Sequence, residues 1–187
     1  MTALAGSTWF IALPVERRAW LSSLPQPPAE TLLLHPDDLH LTIAYLDRCG
    51  EDHAEAAWSA FRWPLGAITV TLGPVVPLGD PRRPSALSAL VAEGRTDLEE
   101  AMRASRDLPI QVAKTPKEDR APKAHVTLAR ISRAATVEDR ERALAWAASL
   151  DLDAPSLALD RVALYSARSG PEGRRYTRVR EITIPAR

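Results

Sequence analysis

The sequence contains a single cysteine, Cys49, among its 187 residues. A lone cysteine cannot form an internal disulfide, and a chain so poor in cysteine is typical of a reducing compartment. The chain also lacks a basic N-terminal segment followed by an apolar run, and it has no apolar stretch of the roughly 18 residues that a membrane helix needs. We therefore expect a cytoplasmic protein that does not associate with a membrane, in which Cys49 is an incidental thiol.

The sequence also lacks an excess of charge of either sign, because 24 Lys and Arg residues balance 24 Asp and Glu residues. Proteins that coat nucleic acid through bulk electrostatics need a strongly basic surface, so the balance argues against that mode of binding. It is compatible with a small or terminal substrate held by a few local arginines. Glycine-rich phosphate loops and a Gly-x-Ser-x-Gly turn are absent, so nucleoside triphosphate hydrolysis, hydride transfer and serine-hydrolase chemistry have no support.

The sequence does contain a short pattern that occurs twice. Residues 39–46 read LHLTIAYL, and residues 124–131 read AHVTLARI. Each copy places a histidine two residues before a threonine in an apolar, strand-like run, and side chains two apart on a strand share a face. We therefore predict two strands that each present a His/Thr pair. The pairs are His40 with Thr42 and His125 with Thr127.

An imidazole and a hydroxyl on one strand face indicate that this face lines a polar cleft, because a strand buried on both sides is almost wholly apolar. Taken singly, either copy would more often be structural, since threonine is a common strand residue. Only four histidines are present, however, and two of them occupy the same place in the pattern. The repetition favours one shared site, with the two strands side by side or facing each other across the cleft.

Strand-like and helix-like segments alternate along the rest of the chain. One motif strand in each half of the chain predicts an α+β fold with pseudo-twofold character, formed by one domain of residues 1–187 with two lobes and a central cleft. Gly73 and Pro74 predict a bulge or an edge in their strand. The predicted helices are 15–24, 53–61, 96–105 and 136–150, and the further strands are 8–13, 32–34, 67–76, 85–91, 110–113, 157–165 and 176–184.

The motif pair resembles the paired His-x-Ser/Thr motifs of the two-histidine (2H) phosphoesterases. Three other segments resemble the bacterial RNA 2′,3′-cyclic phosphodiesterase branch, also called 2′-5′ RNA ligase: WFIALP, PRRPSAL and LDRVALYSARSGPEGRRYTRV. The resemblance covers most of the chain and implies a bilobal LigT-like fold, with two antiparallel sheets and helices on the outside. The chain departs from the family at Lys123 and Ala124, where a proline usually precedes the second histidine, and at Asp47, where a glycine is common.

Two histidines suit the opening of a cyclic phosphate, because one imidazole can deprotonate water while the other protonates the departing ribose oxygen. By the resemblance, His40 is the acid on O3′ and His125 is the base, and the product carries a 2′-phosphate. Hydroxyl and guanidinium donors would stabilise charge on the non-bridging oxygens. We expect this role for Thr42, Thr127 and Arg130.

Tyr45 and Arg130 each follow a motif histidine by five residues. In the family the position of Tyr45 carries an aromatic residue that stacks on the base, and Arg130 is suited to a bidentate phosphate contact. An odd offset places a side chain on the opposite face of a regular strand. Both residues therefore reach the cleft only if each strand twists, bulges or ends there, and otherwise they are an ordinary strand-end tyrosine and a solvated arginine.

The resemblance implies a monomeric enzyme that needs no cofactor and no metal and acts on RNA ending in a 2′,3′-cyclic phosphate, with reversible 2′-5′ ligation as a further activity. A small nucleotide of the ADP-ribose cyclic phosphate type is an alternative substrate. Two rival hypotheses are a metal-dependent phosphodiesterase, with His35, Asp37 and His40 around the metal, and a non-catalytic module that binds a nucleotide or an RNA end. Arginines that would rim the cleft or lie in solvent are Arg83, Arg168, Arg174 and Arg175.

Overall fold

A computed structural model describes residues 7–16, 19–168 and 173–186 of the chain. The strands are β1 (Trp9–Pro14), β2 (Thr31–Leu33), β3 (His40–Asp47), β4 (Ile68–Asp80), β5 (Arg83–Val91), β6 (His125–Ile131), β7 (Ser156–Leu159), β8 (Arg161–Ser166) and β9 (Thr177–Thr183). The helices are α1 (Glu51–Ala60), α2 (Arg95–Val112) and α3 (Val137–Ser149), and short 3-10 turns lie at Ala19–Ser23 and Pro36–Asp38.

The strands form two antiparallel sheets, with the orders β3-β1-β8-β9 and β2-β6-β5-β4-β7. The α+β class and the two antiparallel sheets are therefore confirmed. The two motif strands, β3 and β6, belong to different sheets and contact each other. Of the two predicted arrangements, side by side or facing each other, a contact between strands of different sheets fits the second.

The two sheets and the helices enclose one continuous apolar core. Strand β1 is buried along its whole length because β3 and β8 flank it in the sheet. Helix α2 packs on β3 and on α1, whereas α3 packs on β4 of the other sheet. The described helices are too short or too polar for any of them to cross a membrane.

Helix α2 is longer than the sequence predicted, and residues 110–113 are its end and not a strand. Its buried positions recur every three or four residues as far as Pro109 and Ile110, so the apolar stripe continues past the proline. Burial of Ile110 and Ala113, each 3% exposed, offsets the hydrogen bond that Pro109 cannot donate. A short apolar run cannot distinguish this helix end from a strand.

Two other predictions were wrong in extent. The helix predicted at 15–24 is a 3-10 turn at Ala19–Ser23, while residues 17 and 18 lie outside the described part. Its two serine hydroxyls donate to backbone carbonyls three residues earlier, which competes with a regular helix. The strand predicted at 157–165 is divided at Asp160, because β7 pairs with β4 and β8 pairs with β1 in the other sheet.

The β4–β5 hairpin includes residues that the sequence predicted as a loop. Strand β4 continues to Asp80, which pairs with Arg83 across the turn. The predicted irregularity at Gly73 and Pro74 is confirmed as a register shift between Leu72 and Val75. Pairing with β5 thus extends the strand beyond the segment that alternation alone defined.

Candidate active site

Strand β3 contains one extra residue within its His/Thr motif. Ala12 of β1 pairs with Thr42, but Ile11 pairs with Ala44, so Ile43 is the bulged residue. Because the bulge reverses the alternation, Tyr45 lies on the same accessible side as His40 and Thr42, whereas the intervening apolar residues are buried. The irregularity that the odd offset of Tyr45 requires is therefore present.

Strand β6 has the same irregularity at the equivalent place. Ser88 of β5 pairs with Thr127, but Leu87 pairs with Ala129, so Leu128 is the bulged residue. The burial pattern from His125 to Arg130 is identical to that from His40 to Tyr45 except that Arg130 is less exposed. Each motif strand thus has three partly accessible side chains on one side, at the histidine and at the second and fifth residues after it.

The two imidazoles are held by equivalent hydrogen bonds. Nδ1 of His40 lies 2.6 Å from the carbonyl oxygen of Asp38, and Nδ1 of His125 lies 2.6 Å from the carbonyl oxygen of Lys123. A carbonyl oxygen can only accept, so Nδ1 of each ring carries the proton. Nε2 of each neutral ring is therefore left as a base that can take up a proton.

His40 lies against an aromatic wall. Its ring stacks on Phe10 with a centroid distance of 4.7 Å, and the ring of Tyr176 meets its edge at 5.3 Å. Tyr165 lies 5.4 Å away and stacks in turn on Phe10. These contacts fix the plane of the imidazole and remove water from one side of it.

Asp38 connects this aromatic wall to the segment directly before β9. The residue is 1% exposed, and its carboxylate accepts hydrogen bonds from the backbone N–H groups of Arg175 at 2.7 Å and Tyr176 at 3.2 Å. Its carbonyl oxygen accepts from His40. One buried residue therefore orients the imidazole and also places the tyrosine that packs on its edge.

Burial lowers the pKa of His40 to about 4, although its hydrogen bond to Asp38 opposes the shift. The positive charges of Arg130 and Arg178 and of a protonated His125 act in the same direction as burial. Burial also lowers the pKa of His125, with further lowering by Lys123 and Arg130. Both imidazoles are therefore neutral at pH 7 in the free site.

Helix α2 holds the segment that leads into His125. The carboxylate of Glu99 accepts from the backbone N–H of Ala124 at 3.0 Å, and Nη2 of Arg106 donates to the carbonyl oxygens of Glu118 and Arg120. These contacts hold residues 118–124, the segment that leads into His125. The polar segment of residues 114–123 is thus fastened to the helix.

Two adjoining cavities open at these strands. One has a volume of about 300 Å³ and has His40 and Arg130 in its wall, and the other has about 230 Å³ and has His125 in its wall. Thr42 and Tyr45 belong to both walls, so the cavities meet there. Thr127 lines neither cavity, and its hydroxyl lies 3.1 Å from that of the buried Ser88.

The other candidates from the sequence lie elsewhere. Neither cavity wall includes any of the four additional arginines: Arg83, Arg168, Arg174 and Arg175. His35 accepts a hydrogen bond at Nδ1 from the backbone of Asp37, and His40 uses Nδ1 for a carbonyl. Across residues 7–16, 19–168 and 173–186, no group of three or more His, Cys, Asp or Glu side chains is arranged to hold a metal ion. The geometry thus gives the metal-dependent hypothesis no support.

Sequence reasoning missed Phe10, Asp38, Ser88 and Arg106. Phe10 stands in the segment WFIALP, but only the β1–β3 register, which pairs it with Tyr45, shows that it reaches the site. Asp38 and Lys123 both precede a motif histidine by two residues, and this shared position was the available signal. At Asp47, where the family commonly has glycine, φ is +49°, a conformation that glycine adopts more readily.

Solved structures with the same architecture cover nearly the whole chain. LigT of E. coli complexed with 3′-AMP has a TM-score of 0.66 and 20% identity, over 96% of this chain and 98% of that chain. A structure described as a phosphoesterase has a TM-score of 0.64 and 20% identity, over 96% and 99%. TT0787 of Thermus thermophilus has a TM-score of 0.60 and 20% identity, over 96% and 98%.

The chain has the LigT-like fold. No protein-family model and no curated protein matches the sequence. The LigT-like fold is nevertheless the one that the two short motifs predicted. Five of the six predicted site residues line its two adjoining cavities, and Thr127 lies beside them on β6.

Asp38→Asn should destabilise this LigT-like fold by about 2 kcal/mol, because the two backbone N–H groups bond to different oxygens of the buried carboxylate and one of them would instead face the amide NH₂ group. Urea unfolding followed by circular dichroism measures the change. The matched control is Asp37→Asn, at a neighbouring carboxyl that is 39% exposed, with an expected loss below about 1 kcal/mol. Equal losses for the two variants would contradict the role given to Asp38.

His40 should also make stability depend on pH. Between pH 6.5 and 4 the unfolded chain takes up a proton at this residue that the folded chain does not, so the free energy of unfolding falls by up to about 3 kcal/mol as the pH is lowered. His40→Gln should remove this part of the decline. The measurement is urea unfolding of both proteins from pH 4 to 8, and curves that stay parallel below pH 6.5 would refute the lowered pKa.

Proposed function

We propose that the protein is a 2H phosphoesterase that hydrolyses a terminal 2′,3′-cyclic phosphate to a 2′-phosphate without a metal. The observation that carries the proposal is the equivalence of His40 and His125. Both imidazoles donate Nδ1–H to the carbonyl two residues earlier and keep Nε2 available, on two strands that contact each other. Both come from one chain, so a monomer contains the complete set of groups.

In the proposed reaction, His125 Nε2 takes a proton from water as the water oxygen bonds to phosphorus. The bond from phosphorus to O3′ breaks, and His40 Nε2 gives its proton to O3′. Burial disfavours the charged form of both rings in the free site. The negative charge of the phosphate opposes this effect and raises the pKa of the ring that acts as the acid.

Arg130 is suited to stabilise the charge on the non-bridging oxygens. Its guanidinium is close enough to lower the pKa of both His40 and His125 through its charge, and it lines the cavity beside His40. An arginine can contact two phosphate oxygens at once. The Thr42 hydroxyl lies on the shared wall of the cavities, and Ser88 orients the hydroxyl of Thr127 on the other motif strand.

Tyr45 is suited to stack on a base. Its side chain is 53% exposed and borders both cavities. Stacking on one nucleotide contributes about 1 to 3 kcal/mol without reading the sequence. LigT of E. coli has been solved with 3′-AMP, ATP and NADP+, and these complexes support a nucleotide as the substrate of this chain too.

His40→Ala and His125→Ala should each lower kcat by about 100- to 10,000-fold on an RNA that ends in a 2′,3′-cyclic phosphate. The double variant should lose little more, because the two groups act in one step. The product is identified by chromatography against 2′- and 3′-phosphate standards, in the presence of EDTA. His53→Ala is the matched control, since His53 lines neither cavity. Undiminished turnover in His125→Ala, a 3′-phosphate product or inactivation by EDTA would count against the proposal.

The activity should have an acidic optimum. Both imidazoles have a pKa below 6.5 in the free protein, and kcat/KM reports the free protein. The acid has therefore already lost most of its proton at pH 6.5, and kcat/KM should fall about tenfold for each further pH unit. Initial rates from pH 4 to 8.5 at low substrate concentration test this, with pH-jump controls for stability. A plateau that extends to pH 8 would show that the pKa of the acid is raised, and would contradict this prediction.

A further inference from the structure

The cavity beside His125 is larger than hydrolysis requires. A site for one water needs only about 10 to 15 Å³ of comparable volume, whereas this cavity has about 230 Å³. It meets the cavity of His40 at Thr42 and Tyr45. A group bound there would lie directly next to a phosphate held between the two histidines.

The walls of this cavity combine apolar and basic groups. Its apolar lining includes Ile43, Met102 and Ile110. Its charged lining residues are Arg106, Arg120, Lys123 and Glu118. The single carboxylate lies 3.8 Å from Nε of Arg120. An excess of positive charge therefore faces the cavity.

Arg106 is the buried member of this group, with 8% of its surface exposed. Nη2 donates to the loop carbonyls of Glu118 and Arg120, at 2.9 and 2.5 Å. Nε is buried and makes no hydrogen bond with the described residues, and the carboxylate of Asp107 lies 3.8 Å from it. Because burial closes this Nε donor off from the cavity, Arg106 acts on a bound anion through its positive charge and not through the unused donor.

We propose that this cavity is a subsite for a second phosphate of the substrate, joined to the nucleoside that carries the cyclic phosphate. The inference rests on the proposed function. Arg106 supplies a fixed positive charge in the wall, Arg120 and Lys123 supply mobile charges at its rim, and the apolar lining accepts the attached sugar or base. The second phosphate is either the phosphodiester of an RNA end or the pyrophosphate of an ADP-ribose cyclic phosphate.

The test compares three substrates: adenosine 2′,3′-cyclic phosphate, a dinucleotide with a 2′,3′-cyclic end and ADP-ribose 1″,2″-cyclic phosphate. The variant is Arg120→Gln with Lys123→Gln, which removes two exposed charges and keeps the backbone carbonyls that bond to Arg106 and His125. The matched control is Arg103→Gln, on the exposed face of the same helix α2. Initial rates at low substrate concentration give kcat/KM for each combination of protein and substrate.

The wild-type protein should favour at least one substrate with a second phosphate over the mononucleotide by about tenfold. In the double variant that advantage should fall by about five- to tenfold, because the effect of losing the Lys123 charge on the pKa of His125 is common to all three substrates and leaves their ratio unchanged. The decrease of kcat/KM with added salt should weaken in the double variant for the favoured substrate only. A loss confined to the dinucleotide identifies the second phosphate as the phosphodiester of an RNA end. A loss confined to the ADP-ribose cyclic phosphate identifies it as the pyrophosphate.

Equal kcat/KM for all three substrates in the wild type, or an unchanged preference in the double variant, would overturn the subsite while leaving the proposed hydrolysis intact. Failure of the wild type to turn over any of the three would overturn the proposed function itself. An equal loss on the mononucleotide would assign the two charges to the cyclic phosphate and refute a separate subsite.

Discussion

The site depends on one extra residue in each motif strand. Without the bulges at Ile43 and Leu128, strict alternation would direct Tyr45 and Arg130 into the core, on the face opposite His40 and His125. With them, each strand places a histidine, a hydroxyl and a long side chain on one surface. The bulged residues are themselves buried, at 4% and 1% exposure, so the apolar core holds the irregularity in place.

The two imidazoles are likewise positioned by local backbone geometry. A backbone carbonyl, unlike a carboxylate, fixes a tautomer without adding a negative charge that would raise the pKa of the ring. Burial can then lower the pKa of His40 to about 4 while the ring keeps its orientation. Because the carbonyl belongs to the residue two positions earlier, the geometry is local to each motif and can occur twice in one chain.

Local patterns were enough to predict much of this arrangement. The alternation in both motifs and their repetition located the two strands and the His/Thr pairs, the family resemblance indicated Tyr45 and Arg130, and the helix predicted at 136–150 corresponds to α3. Features that depend on pairing between distant segments could not be predicted from local patterns. The division at Asp160, the end of α2 at residues 110–113, and the contribution of Phe10 all follow from which sheet or core a segment joins.

The surroundings of His40 and His125 differ, and this difference bears on which imidazole is the acid and which is the base. His40 is the more deeply buried ring, with Phe10 stacked on its face, whereas His125 is less buried and borders a basic cavity with Lys123 at its rim. An attacking water has to arrive from solvent, so the open side suits the base. A leaving oxygen stays attached to the ribose and needs no path, and a buried imidazole that has gained a proton gives it up readily. The asymmetry therefore supports His125 as the base and His40 as the acid.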